Sequence, residues 1–419
     1  MNQIKRIEII MLSGGHRHVK THGINIGDLA QLEHARYIIT SNLPGAKITL
    51  VAHSTNDISP SPDIAYNNYF INYLIGSFDA AFSKAVHLLF QSLKIIFFSK
   101  FNNFAQLFLS AKSKTLKMIK DLACKDALIV TGSGTLCDAY WQGPAFIWCV
   151  LMICVANLGV PVILLGQQIG PLHNSFARKL IGVALKKAKF VGVRDNQSYD
   201  AALSIGVTES KVYFTGDEGF YLNPAKQESV EIFLSEKNIK DNFIAVQFRI
   251  DRNCPLAPYV KWFADTLNEL SSQYNANLLF IPFFYSNKDD DRSACRSVAS
   301  HLSVPYQMLE DCTSATLTKG ILAKAILAIG VANHFCVFSS SVGVPTIGLY
   351  ATPYMGQKLQ GLQKVNPYVK VIRLTENIST TEFLDNTNAH FSACAKHNNP
   401  ELYFEKPKEY FNWLNEIKL

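Results

Sequence analysis

The stretch LAIGVANHFCVFSSSVGVPTIGLY, residues 327–350, contains a complete strand–helix–strand pattern. Its two apolar segments are typical of strands in a parallel sheet that helices cover on both faces. A break at Ala332 and Asn333 separates the first strand from a short helix of small residues. His334 would stand in the first turn of that helix, where unpaired backbone N–H groups and the helix dipole favour anions. The stretch predicts an α/β fold in which His334 either binds an anion and acts as an acid, or serves as a capping or interior histidine.

The rest of the chain alternates strand-like and helix-like segments in two series. The first series has apolar strands at 7–12, 47–53, 127–134, 160–166, 189–195 and 211–217. The second has strands at 242–250, 276–284 and 304–309, and then the two strands of the opening stretch. This order predicts two doubly wound parallel-sheet, Rossmann-like domains, which we expect to face each other across a cleft.

The polar segment 222–242, which includes Pro224, is predicted to be a linker between the two domains. We expect residues 1–225 to form an N-terminal domain on the acceptor side, with Gly-rich loops. Residues 226–375 would form a C-terminal domain with the anion or donor site. Residues 376–419 would form a tail whose final helix packs back across both domains.

Composition narrows the class of protein. The chain has 419 residues, 48% of them hydrophobic, and a net charge of +7 without long basic runs. This balance does not require nucleic-acid binding, and it is compatible with an anionic substrate or with peripheral contact to a membrane. Nine cysteines without a CxxC pair favour reduced, buried thiols in a cytoplasmic protein. No Cys/His cluster has ligand spacing, so neither a metal nor another cofactor is predicted.

Two long apolar stretches need separate interpretation. The window 145–166 has the length of a membrane span, but Asn157, Gly159 and Pro161 divide it into a helix and a strand. We interpret it as a buried α/β unit. The Phe-rich stretch 85–109 also contains lysines and would suit a helix on a membrane surface, although a core helix is the preferred prediction.

Loops at predicted strand ends in the first series supply candidate site residues. The loop 13–28 has five basic or titratable residues, namely His16, Arg17, His18, Lys20 and His22. It ends at Asn25 and Asp28, which are either ligand contacts or a helix cap. In VTGSGTLCD, residues 130–138, the backbone of Gly132, Ser133 and Gly134 would face an anion or simply form a tight turn.

Further candidates follow later strands of both series. Gly170 ends one strand, and Arg194 ends the next, where it would clamp a carboxylate or phosphate or pair with Asp195 or Asp217. In the second series the candidates for binding an anion are Arg249, Tyr354 and Lys358.

The succession of motifs resembles a known family. In chain order the motifs are N-x-G-D at 25–28, TGSGTL-x-D at 131–138, GQQIGP at 166–171, VRDNQSYDAALSIGV at 193–207, NHFCVFSSSVGVPTIGLY at 333–350 and Y-x-x-x-K-x-x-GL at 354–362. Over residues 10–362 this order resembles the polysaccharide pyruvyl transferases. Two positions depart from the family pattern: Ala332 stands where many members have arginine, and Asn333 where they have an aliphatic or aromatic residue.

The resemblance implies a two-domain fold similar to glycosyltransferase-B and transfer of a pyruvyl group from phosphoenolpyruvate. The acceptor would be two hydroxyls of a cell-surface polysaccharide or its lipid-linked precursor, and the product a cyclic ketal. The family histidine falls on His334 and the family arginine on Arg194. In this interpretation Arg194, Arg249 and Lys358 neutralise the donor, and Asp28 or Asp217 is the base.

Two alternatives remain at this stage. The first is a glycosyltransferase of the same architecture that uses a nucleotide sugar and binds its ribose through Glu310 or Asp311. The second is a non-catalytic member that binds glycan, which the residue Ala332 favours. We expect the protein in the cytoplasm, either free or peripheral at the inner face of the membrane.

Overall fold

The computed structural model describes residues 7–14, 23–51, 64–67, 69–75, 81–252, 254–287, 290–395 and 408–417. The basic residues predicted between positions 16 and 22 lie outside this description. The chain divides into two compact units. The first comprises Met1–His16, Gln31–Glu218 and Lys406–Leu419, and the second comprises Arg17–Ala30 and Gly219–Glu405.

In chain order the strands are β1 (Glu8–Leu12), β2 (Ile24–Asn25), β3 (Lys47–Val51), β4 (Ile64–Asn67), β5 (Ala127–Val130), β6 (Ser133–Leu136), β7 (Val162–Ile169), β8 (Phe190–Val193), β9 (Val212–Phe214), β10 (Phe243–Gln247), β11 (Asn277–Phe280), β12 (Phe284–Tyr285), β13 (Tyr306–Met308), β14 (Leu327–Gly330), β15 (Thr346–Tyr350) and β16 (Val369–Arg373).

The helices are α1 (Ile26–Asn42), α2 (Tyr69–Ile75), α3 (Ala81–Lys100), α4 (Asn102–Phe108), α5 (Lys114–Ala123), α6 (Pro144–Asn157), α7 (Ser175–Lys187), α8 (Asn196–Ser204), α9 (Glu218–Tyr221), α10 (Gln227–Glu236), α11 (Val260–Tyr274), α12 (Asp291–Ala299), α13 (Ala315–Leu322), α14 (Asn333–Ser341), α15 (Pro353–Val365) and α16 (Thr380–Cys394).

Each unit is built on one parallel sheet. The first sheet has the order β4-β3-β1-β5-β7-β8-β9, with β6 paired to β7, and the second has the order β13-β11-β10-β14-β15-β16. In each sheet, successive strands are added first towards one edge and then towards the other. This reversal of strand order lies between β1 and β5 in the first sheet and between β10 and β14 in the second. Ligands of doubly wound sheets bind beyond the carboxyl ends of the strands at such a reversal. The predicted α/β fold with two parallel sheets is confirmed.

The most apolar helix, α6, lies inside the first unit. Its apolar residues face all directions, and the run from Ile147 to Val155 is buried in the core together with β7. A helix that is apolar on all sides belongs in a protein core or a membrane. The prediction of a buried α/β unit at 145–166 is therefore confirmed. Within the described residues, no helix combines the length and the apolar character needed to cross a membrane.

The two units differ from the boundaries expected at 225 and 375. Of residues 17–30, the described residues 23–30 group with the second unit, in which β2 pairs antiparallel with β12. Residues 376–395 also belong there, because α16 packs its Phe383 ring against Trp262 of α11. The tail is a 3-10 segment at Lys408–Glu416 in place of the expected amphipathic α-helix. It buries Trp413 against β8 and β9 of the first unit.

The predicted linker at 222–242 is wrong over half its length, because it contains α10. Val230 and Leu234 are one helical turn apart and are both buried. The polar residues that suggested a linker form the solvent face of this helix.

The core helix preferred for residues 85–109 is also wrong. This stretch forms most of α3 and all of α4, and its large apolar side chains are largely exposed, among them Phe90, Phe97 and Phe108. The buried face of α3 is instead narrow and contains Ser92 and Ser99.

All nine cysteines are free thiols. Six of them are buried, as predicted, whereas Cys124 is exposed and Cys254 and Cys312 are half-buried. Burial raises the pKa of the Cys312 thiol to about 11 and that of Cys254 to about 12, so both thiols stay protonated at neutral pH.

Candidate active site

His334 lies at the carboxyl end of β14, beside the reversal of strand order between β10 and β14. Val331 and Ala332 lead out of the strand, and Asn333 and His334 form the first turn of α14. His334 is half-buried. The structure therefore places this imidazole at a helix start, as the sequence predicts, and at the edge where doubly wound sheets bind ligands.

The imidazole of His334 rests directly on the backbone of Gly27. A Cβ atom at Gly27 would come within 2.0 Å of both Cγ and Nδ1 of His334, so only glycine fits here. The side chain of Asn25 accepts a hydrogen bond from the Gly27 N–H at 2.9 Å and caps the start of α1. The N-x-G-D motif thus has a physical explanation: Asn25 caps, Gly27 makes room for the imidazole, and Asp28 follows in the first turn.

The loop before His334 is fixed by Gln247, the last residue of β10. Its Oε1 accepts hydrogen bonds from the N–H groups of Val331 at 3.1 Å and Ala332 at 2.8 Å. Its Nε2 donates to Oδ2 of Asp291 at 2.7 Å. Because Gln247 is fully buried, these bonds hold the start of α14 firmly against the neighbouring strand.

Asp291 connects this network to Arg249, one of the predicted anion ligands. Arg249 donates to the two carboxylate oxygens of Asp291 through Nε at 2.6 Å and Nη2 at 3.0 Å. The same carboxylate accepts the backbone N–H groups of Phe283 and Phe284 at 2.9 and 3.0 Å. Arg249 and the His334 loop are therefore positioned by one connected set of hydrogen bonds through Gln247 and Asp291.

Arg249 keeps its charge in this setting. Burial alone would lower the pKa of Arg249, but the adjacent Asp291 carboxylate outweighs burial and raises the pKa above the ordinary arginine value. The side chain is 19% exposed and its guanidinium also lies 5.6 Å from the ring centroid of Phe284. A fixed, partly exposed cation of this kind suits anion binding.

Tyr354 and Lys358 lie on α15, which follows β15, the strand next to β14. Nζ of Lys358 donates to the Tyr354 hydroxyl at 2.6 Å and lies 4.1 Å from the centre of its ring. The two predicted residues therefore act as a pair. The helix carrying them begins at the carboxyl end of the same sheet as His334 and Arg249.

Arg194 lies in the first unit and is buried. Its Nη1 donates to Oδ2 of Asp217 at 3.0 Å, its Nη2 donates to the side chain of Gln168, and its Nε is 3.9 Å from Asp195. The ion pair with Asp217, which the sequence offered as the alternative to a ligand clamp, is present. Asp217, predicted as a base, is accordingly the counter-ion of Arg194.

Glu218, which the sequence analysis missed, is fully buried next to Asp217. Burial raises the pKa of Glu218 well above its ordinary value, and the charge of Asp217 raises it further. The N–H of Gly132 donates to its Oε2 at 3.0 Å, which acts in the opposite direction. The only hint in the sequence is a second acid directly after Asp217 in TGDEG.

The predicted Gly-rich loop is closed by these internal contacts. A Cβ at Gly132 would lie 2.1 Å from Glu218 Oε2, so this glycine makes room for a side chain of the protein. Ser133 and Gly134 belong to β6, because the predicted strand at 127–134 breaks at Thr131. Gly170 has φ +90° and donates its N–H to the carbonyl of Leu136.

Several other side chains bear on the predictions. Gln247 and Asp291 were missed, although a glutamine that ends the apolar run FIAVQ was a usable signal. Glu310 and Asp311 follow β13, the outermost strand of the second sheet, and pair with Arg296 and Lys237 at the surface. Among the described residues, no group of three or more His, Cys, Asp or Glu side chains could hold a metal ion.

A family model, polysaccharide pyruvyl transferase, matches residues 25–352, most of the chain. The chain belongs to the polysaccharide pyruvyl transferase family. The match spans the N-x-G-D motif, the Arg194 cluster, the Gln247–Asp291 network and His334. A comparison with curated proteins gave no significant match.

Solved structures show the fold of this pyruvyl transferase family member. The UDP-GlcNAc 2-epimerase of Methanocaldococcus jannaschii has 12% identity and a TM-score of 0.59, with 98% of this chain and 99% of that chain covered. The Neisseria meningitidis enzyme bound to UDP-GlcNAc has 12% identity, a TM-score of 0.56 and the same coverage. Anabaena Alr3699/HepE in complex with UDP and glucose has 12% identity and a TM-score of 0.53, with 98% and 100% covered. These similarities support a glycosyltransferase-B-like fold.

Proposed function

We propose that this protein transfers a pyruvyl group from phosphoenolpyruvate to two hydroxyls of a sugar and forms a cyclic ketal. The sugar belongs to a cell-surface polysaccharide or to its lipid-linked precursor. The observation that best supports the proposal is the position of His334 at the start of α14, where its imidazole contacts Gly27. The Gln247–Asp291 network holds that loop and the cationic Arg249 at one edge of the sheet.

The first requirement of the reaction is a positively charged site that binds the donor. Phosphoenolpyruvate carries a carboxylate and a phosphate, so binding it requires cations or helix N-termini in a fixed arrangement. Arg249 has Nη1 as the guanidinium nitrogen that Asp291 does not use. We propose that Arg249, Lys358 and the start of α14 bind the donor.

The chemical steps then balance as follows. A proton adds to the methylene carbon of phosphoenolpyruvate, and the adjacent carbon becomes oxocarbenium-like. One sugar hydroxyl bonds to that carbon and gives its proton to a base. The bond to the phosphate oxygen breaks, and the phosphate leaves with the electron pair and takes up a proton. The second hydroxyl bonds to the same carbon and releases its proton, which yields the ketal and inorganic phosphate.

His334 is assigned as the acid that protonates the leaving phosphate or as its ligand, because an imidazole can donate a proton or a hydrogen bond to an anion. Asp28 is assigned as the base towards the sugar. It is half-buried in the first turn of α1, next to Gly27, whereas Asp217 is committed to Arg194. Arg194 then acts by shaping the first unit, and not by clamping the donor.

The location follows from the substrates. Phosphoenolpyruvate is a soluble metabolite of the cytoplasm, and a lipid-linked acceptor is carried by a membrane. We therefore place the enzyme in the cytoplasm, peripheral at the inner face of the membrane.

The test is a binding and product assay on the full chain. Purified protein is titrated with phosphoenolpyruvate and, in parallel, with UDP-GlcNAc and UDP-glucose, and binding heat is measured. It is then incubated with phosphoenolpyruvate and a panel of hexosides, and free phosphate and sugar mass are followed.

We expect binding of phosphoenolpyruvate, release of phosphate, and a sugar that gains one pyruvate with loss of one water. Binding of a nucleotide sugar alone, with sugar transfer to an acceptor, would replace the proposal with a glycosyltransferase. Binding of the hexosides without turnover of either donor would replace it with a glycan-binding protein.

A further inference from the structure

The helices α3 and α4 expose a continuous apolar ridge, defined here by Val86, Leu89, Phe90, Leu93, Phe97, Phe101, Phe104, Leu107 and Phe108. These residues are between 41% and 80% exposed. Among the described residues, nine of the seventeen exposed large hydrophobic side chains lie in this ridge. They recur every three or four positions, which places them along one side of consecutive helical turns. A soluble surface rarely keeps so large an apolar patch without a partner.

The helices carrying the ridge are anchored by their opposite face. Ile95 of α3 and Ala105 of α4 are fully buried in the core of the first unit. Nδ2 of Asn157, at the end of α6, donates to the Ser99 hydroxyl at 3.2 Å. The ridge is therefore held outward by packing and is not a core face that the fold has failed to cover.

The aromatic rings of the ridge form a connected row. The ring centroids of Phe97 and Phe101 are 5.1 Å apart, those of Phe101 and Phe104 are 6.2 Å apart, and those of Phe104 and Phe108 are 5.6 Å apart. Nζ of Lys100 lies 5.6 Å from the centre of the Phe101 ring. Apolar rings and a lysine side by side are typical of helices that lie in a membrane interface.

Charge identifies the partner. Residues 81–120 contain seven lysines and no arginine, aspartate or glutamate. The lysines are at positions 84, 94, 100, 112, 114, 117 and 120, and all are exposed except Lys94, which is half-buried. The chain has 40 basic and 33 acidic side chains, so the rest of the chain has 33 of each and no net charge. The excess of +7 therefore equals the charge of residues 81–120, of which three lysines lie on α3 and four follow α4.

We infer that the α3–α4 ridge is the membrane-docking surface of this protein and that its ligand is an anionic phospholipid bilayer. The rings and aliphatic side chains enter the boundary between headgroups and acyl chains, and the lysines contact anionic headgroups. This inference deepens the proposed location at the inner face of the membrane and does not depend on the donor. Docking at this surface would hold the enzyme against an acceptor that is linked to lipid.

The test is vesicle flotation of the full chain without donor or acceptor. Vesicles of phosphatidylcholine are compared with vesicles that also contain phosphatidylglycerol, at low and high salt. We expect binding to the anionic vesicles that weakens with salt, and much weaker binding to phosphatidylcholine alone. Equal binding to the two kinds of vesicle, or no binding to either, would overturn the inference.

Matched variants locate the surface. Phe97→Ser/Phe104→Ser/Phe108→Ser should weaken binding at least about tenfold, and Lys100→Gln/Lys112→Gln should weaken it about fivefold per lysine. The controls are Val183→Ser/Ile232→Ser and Lys179→Gln/Lys189→Gln, which change exposed residues elsewhere. Far-ultraviolet circular dichroism and melting curves check that all variants are folded.

Two results on these variants contradict the inference. One is unchanged vesicle binding by the triple Phe variant. The other is a concentration-dependent dimer in sedimentation that the triple Phe variant abolishes while vesicles stay unbound, because the ridge would then be an interface between two copies. Failure of pyruvyl transfer to a soluble glycan would leave the vesicle result intact, so the two proposals fail separately.

Discussion

The carboxyl edges of the two sheets collect charged residues in opposite ways. In the first unit, Arg194, Asp217 and Glu218 are all buried, and Arg194 is paired with Asp217. In the second unit, His334 is half-buried and Arg249 is 19% exposed, and both are fixed from behind by buried polar groups. In the first arrangement the arginine is paired within the protein, whereas the second presents an imidazole and a guanidinium at the surface of its unit.

The difference indicates that the first edge stabilises the fold and that the second edge is available to a ligand. A buried ion pair contributes to the fold because removing one partner leaves the other charge without compensation. A partly exposed cation with a rigid support is available to a ligand. We therefore expect the loss of Arg194 to destabilise the protein, and the loss of His334 or Arg249 to change its activity.

The largest expected effect on stability is that of Arg194→Ala. It leaves Asp217 buried without its counter-ion, and we expect the free energy of unfolding to fall by about 3–5 kcal/mol. Denaturation in urea measures this. Arg178→Ala is the matched control, since Arg178 is exposed on α7 and donates to the carbonyl of Ser204. Equal, small losses for the two variants would show that the first edge is not structural.

Asp291→Asn should have the next largest effect. The amide cannot accept all the hydrogen bonds that the carboxylate receives from Gln247, Arg249 and two backbone N–H groups. We expect a loss of about 2–3 kcal/mol in unfolding free energy and a higher KM for phosphoenolpyruvate. Asp265→Asn, which breaks the exposed pair with Lys261, should change neither. A loss of stability with unchanged KM would separate Arg249 from the donor.

The contact between Gly27 and His334 is tested by a double-mutant cycle. Gly27→Ala forces the imidazole away, and we expect it to destabilise the protein by about 1–3 kcal/mol. In a His334→Ala background the same change should be neutral or slightly stabilising, because alanine favours a helix over glycine. An additive cycle, measured by urea denaturation, would mean that the imidazole does not rest on Gly27.

The smallest expected effect concerns Glu218 and pH. Its raised pKa means that the folded protein retains a proton that the unfolded chain loses, so stability falls as pH rises above the ordinary carboxyl value. Glu218→Gln should remove this loss, and its advantage over the parent should grow to about 1–2 kcal/mol as the pH is raised towards 8. Glu236→Gln, a change on the exposed face of α10, is the matched control. A flat difference for Glu218→Gln would show that this carboxyl is ionised.

The sequence predicted most strands of the two parallel sheets because buried parallel strands are apolar throughout. Segments such as ALIV in β5 and LAIG in β14 stand out from the helices between them. The predicted division of 145–166 into a helix and a strand also matches the structure, in which α6 ends at Asn157. The helix α10 was missed because only two of its ten residues are buried, so its pattern is weak. The β2–β12 pair was out of reach, since two-residue strands far apart in the chain leave no local signal.

The site was predictable in part for a related reason. His334 and Arg249 follow apolar strands directly, so their position at a sheet edge could be read from the chain. Whether a side chain is paired depends on residues distant in sequence, and the partner of Arg249 is Asp291, 42 positions away. The surface exposure of the α3–α4 ridge was also missed. Apolar periodicity alone does not tell which face of a helix the core covers.

The central claim is that the half-buried imidazole of His334 serves the transfer from phosphoenolpyruvate. The most direct measurement is the rate of phosphate release from phosphoenolpyruvate with an accepting sugar, for His334→Ala against the parent protein and against His301→Ala, a change of an exposed histidine. The account predicts a loss of at least about 100-fold for His334→Ala, a normal rate for His301→Ala, and unchanged melting for both. Near-normal release by a folded His334→Ala variant would contradict it.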